Sequence, residues 1–218
     1  MPMRLFKLLN DNRDVRGARR FEIVNKDSEA TIYLYDVIVS SVSESEWWGG
    51  IAAETFCREL AAIEAGTIHI RVNSPGGDVF AARAMEAAIQ TKKKTSKMVC
   101  HVDGYAASAA TFVALAGDEV EISDGGFMMI HESWTLAYGN ANDLLATAAL
   151  LEQVDNTIVA TYVRRTGIAE DKIRAMMAAE TWINAADAVD MKFADRVAES
   201  AVENRVSWKV EAYRSAPE

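Results

Sequence analysis

Hydrophobic and polar residues follow one another along this chain in two periods, one typical of strands and one typical of helices. Residues 68–72 alternate strictly, which predicts a strand, and residues 79–90 have the helical period of three to four. A strand over 98–102 and a nearly all-apolar helix that ends at Leu115 repeat this order. Because strands and helices alternate, we expect an α/β fold with a largely parallel sheet and right-handed crossovers.

Further elements are predicted on both sides of this unit. Two apolar runs separated by a polar turn, 21–24 and 30–35, predict a hairpin. Apolar residues at helical spacing predict one helix over 45–65, with Gly66 as its C-cap. The remaining predicted elements are strands over 119–123 and 127–130 and helices over 142–165, 170–179 and 185–191.

The composition is that of one globular domain. The chain has 218 residues, 50% of them hydrophobic, and only 3 prolines, so it can bury a substantial core. A net charge of -9 argues against a nucleic-acid partner, because phosphate binding needs clustered Lys and Arg. No apolar run has the length of a membrane span, so we expect no membrane partner. Two cysteines without metal spacing predict reduced thiols and a cytoplasmic location.

The two ends of the chain differ from its middle. Residues 1–20 carry six basic residues against two aspartates, and we expect a mobile basic arm there. Residues 200–218 are polar and predict a fraying tail, although 206–210 alternates like an edge strand. The folded domain is therefore expected over 21–199.

Three residues with chemically useful side chains, Asn73, Ser108 and His131, follow predicted strands. The carboxyl ends of parallel strands share one edge of a sheet, where ligands bind in open α/β folds. Small residues around Ser108 leave its hydroxyl accessible for nucleophilic attack. The backbone N–H groups of Gly76 and Ala109, each at a strand-to-helix turn, could stabilise the resulting oxyanion.

These residues also have structural interpretations. Ser108 suits the N-cap of an alanine-rich helix, and an isolated histidine is more often packed than catalytic. His69 and His101 lie within predicted strands, which favours a packed role for both. Alanines flank Ser108 where the Gly-x-Ser-x-Gly elbow has glycines, so the α/β-hydrolase fold is not favoured. Spacing does not choose the acid that would orient His131 among Glu132, Asp143, Asp155, Glu180, Asp187 and Asp195.

Four motifs resemble, in order and separation, those of the ClpP-type serine peptidases. They are IRVNSPGG at 70–77, GYAAS at 104–108, MMIH at 128–131 and ETWINAADAV at 180–189. The resemblance spans about 30–197 and is closest in style to ClpP-like proteases encoded by phages and prophages. It implies a ClpP/crotonase-like α/β fold, with repeated β-β-α units, a largely parallel sheet and a protruding handle helix over about 136–165.

The resemblance also implies roles for individual residues. It makes Ser108 the nucleophile, His131 the base and Glu180 the third member of the triad. Familiar members carry aspartate where this chain has Glu180. Gly76 and Ala109 would supply the two oxyanion N–H groups.

Partners follow from the same resemblance. The substrate would be a polypeptide, aligned by Gly77 and by a short strand near 137–140 that includes Tyr138 and Gly139. The surplus apolar face of the handle suits packing on another protomer, in a homo-oligomeric ring that is heptameric and stacked in pairs in most members. Many members work with an ATP-dependent unfoldase, and because this chain has no P-loop motif, any ATP chemistry would belong to that partner. No cofactor or metal is implied.

We therefore expect a serine endopeptidase that hydrolyses peptide bonds through an acyl-enzyme at Ser108, inside an oligomeric chamber. Two hypotheses from other classes remain open. A crotonase-type acyl-CoA enzyme shares the fold and the oxyanion hole but does not need the serine. A catalytically silent shell or scaffold protein would keep the fold only for assembly. A serine–lysine dyad is a subsidiary alternative, which activity without His131 would indicate.

Overall fold

The fold is built around a mixed, mostly parallel sheet with helices packed on it. In this computed structural model, residues 3–12, 20–26, 28–198 and 209–216 are described. The strands within them are β1 (Arg20–Lys26), β2 (Glu29–Tyr35), β3 (Ile38–Val39), β4 (Ile51–Ala52), β5 (Thr67–Ser74), β6 (Lys97–Ala107), β7 (Glu119–Ile122), β8 (Phe127–Ile130), β9 (Thr181–Asn184) and β10 (Arg196–Val197). The helices are α1 (Met3–Asp11), α2 (Val42–Trp48), α3 (Ala53–Ala62), α4 (Val79–Lys92), α5 (Ala110–Leu115), α6 (Ala141–Thr166), α7 (Glu170–Ala178) and α8 (Ala185–Asp190).

The main sheet has the order β1-β2-β5-β6-β7-β10, and β8 and β9 extend from the second half of β6. Strands β2, β5, β6, β7 and β10 run parallel, which confirms the prediction from the alternating elements. The predicted hairpin is the antiparallel pair of β1 and β2. Strand β8 is parallel to β6, whereas β9 is antiparallel to β8.

The alternation in β5 divides its side chains between the core and the opposite face. Ile68, Ile70 and Val72 are fully buried or nearly so and belong to the main hydrophobic cluster. Phe56 of α3 and Met85 of α4 are buried in the same cluster. Burial of this apolar face, at about 25 cal/mol per Å² removed from water, is the main force that holds these helices on the sheet.

Strand β6 is longer than the pattern predicts, because it continues through Gly104 to Ala107 instead of ending at Val102. The fully buried Asn73 explains the extension, since its Oδ1 accepts a hydrogen bond from the Tyr105 N–H at 3.2 Å. A Cβ on Gly104 would lie 2.8 Å from the same oxygen, so only glycine permits this approach. Asn73 therefore links β5 to β6, and this hydrogen bond gives the residue a structural role at the end of its strand.

The helix predicted over 45–65 is interrupted in the structure. Gly49 and Gly50 have φ values of 83° and 99°, a region that glycine enters without a Cβ clash, and they separate α2 from β4 and α3. The Gly50 N–H donates to the Asp36 carboxylate at 3.1 Å, and this bond fixes the interrupted segment to the residue that follows β2. Helix α3 then ends at Ala62, before the predicted cap at Gly66.

The described parts of both termini are packed on the domain, whereas the sequence pattern predicts mobile ends. Residues 3–11 form α1, whose Leu8 and Leu9 are each 2% exposed. In the C-terminal tail, Val210 and Tyr213 are buried. The edge strand predicted over 206–210 falls partly outside the described residues, and Lys209 and Val210 are not in a strand.

The opposite face of the sheet carries a partly buried polar network. The Arg71 Nε donates to the Asp103 carboxylate at 2.8 Å. Beside this pair, His69 Nδ1 lies 2.9 Å from His101 Nε2, and His101 Nδ1 lies 2.8 Å from the Glu121 carboxylate. Both histidines thus have the packed role that their positions within strands predict.

The His101 environment makes stability depend on pH. Burial lowers the pKa of His101 to about 4, although Glu121 acts in the opposite direction. Because the unfolded chain binds this proton near pH 6.5, the contribution to stability is complete above that pH and is lost as pH falls toward 4. We expect the protonation of this residue to lower the free energy of unfolding by about 1 kcal/mol for each unit by which the pH falls within that window. Urea titrations of the wild type and His101→Gln should show a shallower pH slope in the variant, and equal slopes would contradict the assignment.

Candidate active site

Ser108 lies in a strained turn between β6 and α5. Its φ of 54° is in the left-handed region, which residues other than glycine rarely enter and which is often found at functional sites. The Ser108 N–H donates to the Met129 carbonyl at 2.8 Å, and its own carbonyl accepts from the Thr111 N–H at 3.0 Å. The N-cap of α5 is Ala109. Because Ala109 occupies the N-cap and the Ser108 Oγ lies beside His131, the interpretation of Ser108 as an N-cap is wrong.

The Ser108 hydroxyl instead lies against the imidazole of His131, with 2.7 Å between Oγ and Nε2. The parallel pairing of β6 with β8 produces this contact, because Ala107 pairs with Met129 and both strands end at the same edge. His131 is only 9% exposed. A serine hydroxyl that donates to a buried imidazole is arranged for general-base activation of an oxygen nucleophile.

Glu180 reaches the same edge through the antiparallel strand β9. Ile130 pairs with Thr181 in the last pair of this ladder, and Glu180 and His131 are the residues directly next to that pair. Glu180 is 2% exposed and, like Ser108, has a φ of 54°. A buried carboxylate at this position is placed to orient the imidazole.

The other candidate carboxylates are used elsewhere in the fold or lie in solvent. Asp143 and Asp187 accept hydrogen bonds at the starts of α6 and α8, from the Asn140 N–H and the Asn184 side chain respectively. Asp155 accepts from the Ser133 N–H, Asp195 accepts from the Val120 N–H, and Glu132 is exposed. Of the six carboxylates that spacing leaves open, Glu180 alone combines burial with a position next to the last pair of β8 and β9, beside His131.

Two glycines bring the preceding loop close to Ser108. Gly76 and Gly77 have φ values of 91° and 147°. A Cβ on Gly76 would lie 2.5 Å from the Ala107 carbonyl oxygen, and one on Gly77 would lie 1.9 Å from the Ile38 carbonyl oxygen. Both positions therefore require glycine for space as well as for backbone conformation.

Hydrogen bonding in this loop favours Gly77 as the oxyanion donor, whereas the sequence resemblance assigns Gly76. The Gly76 N–H donates to Ser74 Oγ at 3.2 Å, so it is directed into the loop. The bridge to Ile38 uses the Gly76 carbonyl and the Asp78 N–H, at 2.8 and 2.9 Å, and does not use the Gly77 N–H. Gly77 also lines the pocket at Ser108, together with the second predicted donor, Ala109.

The pocket beside Ser108 and His131 has a volume of about 190 Å³. Its walls on α5 and α6 are mostly apolar and include Phe112, Leu150, Leu151, Val154, Ile158 and Tyr162. The Tyr162 hydroxyl lies 2.7 Å from the Thr111 hydroxyl, and burial raises its pKa, so it remains a neutral wall of the pocket. The pocket is suited to an uncharged, apolar side chain of a ligand that reaches Ser108.

Two predicted substrate residues lie apart from this pocket lining. Tyr138 is 91% exposed, and neither it nor Gly139 is among the residues that line the pocket. The short strand predicted near 137–140 is not formed, since residues 131–138 have no regular secondary structure. Their part in substrate alignment stays a prediction, whereas Gly77 does line the pocket.

Sequence reasoning missed the C-terminal residues at this site. The ring of Tyr213 lies 5.4 Å from the ring of His131, and the Ser215 N–H donates to Glu180 Oε1 at 2.6 Å. The signal in the sequence is two aromatic residues, Trp208 and Tyr213, within a polar tail, and this signal does not specify a contact.

Within the described ranges, no cluster of three or more His, Cys, Asp or Glu residues is arranged to hold a metal ion. In the same part of the chain, no helix combines the length and the apolar character needed to cross a membrane.

A serine hydroxyl paired with an imidazole at the strand ends of an α/β sheet is the arrangement of a serine hydrolase. The family model for Clp protease matches residues 29–201, and this chain belongs to that family. The resemblance to ClpP-type serine peptidases and the ClpP-like fold that it implies are thereby confirmed.

Similar proteins agree with this assignment. The chain is 24% identical over 192 residues to the ATP-dependent Clp protease proteolytic subunit of Deinococcus radiodurans, covering 87% of this chain and 91% of the relative. It is 28% identical over 132 residues to the subunit of the same name from Bacteroides fragilis, covering 60% and 63%. The structure of a ClpP1 mutant from Listeria monocytogenes superposes with a TM-score of 0.64 at 20% identity, over 87% of this chain and 96% of the other.

Proposed function

We propose that this protein is a serine endopeptidase that cleaves polypeptides through an acyl-enzyme at Ser108. His131 is the general base, Glu180 orients its imidazole, and the N–H groups of Gly77 and Ala109 stabilise the oxyanion. The observation that carries the proposal is the 2.7 Å contact between Ser108 Oγ and His131 Nε2 at a left-handed turn.

The proposed reaction has two halves. His131 Nε2 takes the Ser108 proton as the serine oxygen attacks the peptide carbonyl carbon, and the negative oxygen of the tetrahedral intermediate meets the backbone donors. The intermediate collapses when the imidazolium gives its proton to the leaving amine, which leaves an ester on Ser108. A water molecule, deprotonated by His131, then hydrolyses the ester and restores the hydroxyl. Each oxyanion donor is worth about 3 kcal/mol of transition-state stabilisation.

The pocket supports a preference for apolar substrate side chains next to the cleaved bond. Phe112, Val154 and Ile158 line it, and they offer a bound side chain dispersion contacts. A glutamate side chain in this pocket would lose hydration without compensation, because neither lysine nor arginine is among the described residues that line it. Asp78 also lines the pocket, but its carboxylate already accepts a hydrogen bond from the Ala81 N–H at the start of α4. We therefore propose cleavage after apolar residues.

The handle supports assembly into an oligomeric ring that encloses a chamber. Helix α6 and the loop before it expose several large apolar side chains, namely Leu136, Tyr138, Leu144, Leu145 and Leu150. Exposed apolar surface on a protruding helix is typical of a protein interface. A heptameric or double ring, an ATP-dependent unfoldase as partner, a cytoplasmic location and a phage origin stay predictions.

A fluorophosphonate probe tests the proposed chemistry, because it forms a covalent bond only with an activated serine. We expect the wild type to be labelled and to cleave casein, and Ser108→Ala to do neither while keeping the native mass of the wild type. Equal labelling of the two proteins, or an unlabelled wild type in its native oligomer, would contradict the proposal. A defined oligomer without turnover would favour the scaffold hypothesis, and CoA-ester turnover that survives Ser108→Ala would favour the crotonase hypothesis.

A further inference from the structure

The C-terminal residues 209–216 pack against the proposed active site, although their polar composition predicts a free tail. Tyr213 is 5% exposed and Val210 is 6% exposed. Three contacts link this segment to three different parts of the catalytic arrangement.

The first contact fixes the loop that carries the oxyanion donor. The Tyr213 hydroxyl donates a hydrogen bond to the Pro75 carbonyl oxygen, and Pro75 directly precedes Gly76 and Gly77. Because Tyr213 is held in a buried cluster with Ala107 and Met129, this bond ties the loop to the strands that end at Ser108 and His131.

The second contact limits the motion of the catalytic base. The rings of Tyr213 and His131 meet edge to face, with centroids 5.4 Å apart and an angle of 64°. The same tyrosine meets Trp182 at 6.2 Å and 75°. An imidazole with a fixed aromatic neighbour has fewer rotamers to sample, so less reorganisation is needed for proton transfer.

The third contact is to the acid. The Ser215 N–H donates to Glu180 Oε1 at 2.6 Å. Hydrogen bonds to a carboxylate are about twice as strong as those between neutral groups. This bond uses one carboxylate oxygen and restricts rotation of the carboxylate to which we assign the role of orienting His131.

We propose that Tyr213 and Ser215 are positioning residues. Through them the C-terminal segment holds the oxyanion loop, the base and the acid in the relative positions that catalysis requires. This inference rests on the proposed function of Ser108. The segment supports the site without occupying it, because among the described residues the pocket beside Ser108 is lined by α4, α5, α6 and their loops and by none of 209–216.

The segment is itself anchored by the N-terminal helix. Asn12 is fully buried, its Nδ2 donates to the Lys209 carbonyl at 2.9 Å, and its Oδ1 accepts from the Lys209 N–H at 2.7 Å. Leu8 and Leu9 of α1 share the buried cluster of Val210. The N-terminal helix therefore packs on the C-terminal segment, and the C-terminal segment packs on the proposed catalytic site.

Two substitutions in the full-length protein test the inference. Tyr213→Phe removes the bond to Pro75 but keeps the ring, and Ser215→Pro removes the N–H that Glu180 accepts. Since displacements of about 1 Å at a catalytic group can cost on the order of 100-fold, we expect each variant to lower kcat for a fluorogenic peptide by about 10- to 100-fold. KM should remain within twofold, because the pocket is unchanged, and the rate of fluorophosphonate labelling should fall in parallel with kcat.

The matched control is Ser215→Ala, which keeps the backbone N–H and should retain kcat within twofold. Asn12→Ala removes the two bonds to Lys209 and the bond from Asn12 to the Leu8 carbonyl, and it should also lower kcat. Combined with Tyr213→Phe, its effect on kcat should be smaller than the product of the two separate effects. Melting temperature and native mass identify any variant that fails to fold or assemble.

The outcomes separate this inference from the proposed function. A wild type that the probe does not label refutes the active serine itself. A labelled wild type with Tyr213→Phe and Ser215→Pro at wild-type kcat refutes the positioning role and leaves the proposed function standing. A rise in kcat/KM in either variant shows that the segment obstructs the site, which also overturns the inference.

Discussion

Replacing His131 with alanine is expected to lower kcat for peptide hydrolysis by about 10⁶-fold, equivalent to about 8 kcal/mol of transition-state stabilisation. The Ser108 hydroxyl has its Oγ 2.7 Å from His131 Nε2, so the variant leaves the serine without its base. The same imidazole protonates the leaving amine, so one substitution removes both proton transfers. Steady-state hydrolysis of a fluorogenic peptide and the rate of fluorophosphonate labelling measure the loss.

His69→Ala is a matched control, because it removes a histidine that lies on the sheet and is bonded to His101. We expect its kcat to stay within twofold of the wild type. Activity above about one tenth of the wild type in a folded His131→Ala protein would indicate a different base, as in a serine–lysine dyad.

Replacing Glu180 with glutamine is expected to lower kcat by about 10⁴-fold, because an amide of nearly the same size removes the negative charge that stabilises the imidazolium and selects its tautomer. Glutamine can still accept the Ser215 N–H through its amide oxygen, so the segment that packs behind the site should stay in place. The loss should appear in kcat with little change in KM, since Glu180 does not line the substrate pocket.

Asp187→Asn is the control for Glu180→Gln, because Asp187 is one of the carboxylates that spacing leaves open and accepts a hydrogen bond from Asn184. We expect wild-type kcat from this variant. If Glu180→Gln keeps more than a tenth of the wild-type kcat, another group orients His131 and the triad assignment is wrong.

The sequence predicts the strands and helices that carry the candidate active site, and it also predicts two residues of that site, Ser108 and His131. Hydrophobic periodicity is local, so the alternation in β5 and the apolar run of α5 identify a strand and a helix without knowledge of their neighbours. The shared edge of Ser108, after β6, and His131, after β8, then follows from the rule that parallel strands end at one edge. The same rule also selects Asn73 as a candidate site residue. In the structure its buried side chain instead accepts a hydrogen bond from the Tyr105 N–H.

Other features depend on contacts between distant parts of the chain. The paired glycines 49 and 50 break the helix predicted over 45–65 where Gly50 bonds to Asp36, a partner fourteen residues away. Tyr213 and Ser215 of the C-terminal tail bond to Pro75 and Glu180 beside Ser108 and His131, although the polar composition of the tail is typical of a mobile chain end. Composition and periodicity do not encode such partners, because they describe one segment at a time.

By itself the sequence determined the parallel sheet, the strand-to-helix turn at Ser108 and the histidine after β8, because each follows from the local order of apolar and polar residues. Only the tertiary structure decided that Glu180 is buried beside the last pair of β8 and β9, and that the glycine loop meets Ile38 through the Gly76 carbonyl and the Asp78 N–H. Our proposals for the acid and for the oxyanion donor rest on these two observations. Both depend on register: β9 pairs with β8 so that Thr181, which follows Glu180, lies opposite Ile130, which precedes His131, and Ile38 bridges the loop without using the Gly77 N–H. Register is a relation between strands far apart in the chain, so it appears only when the sheet has formed.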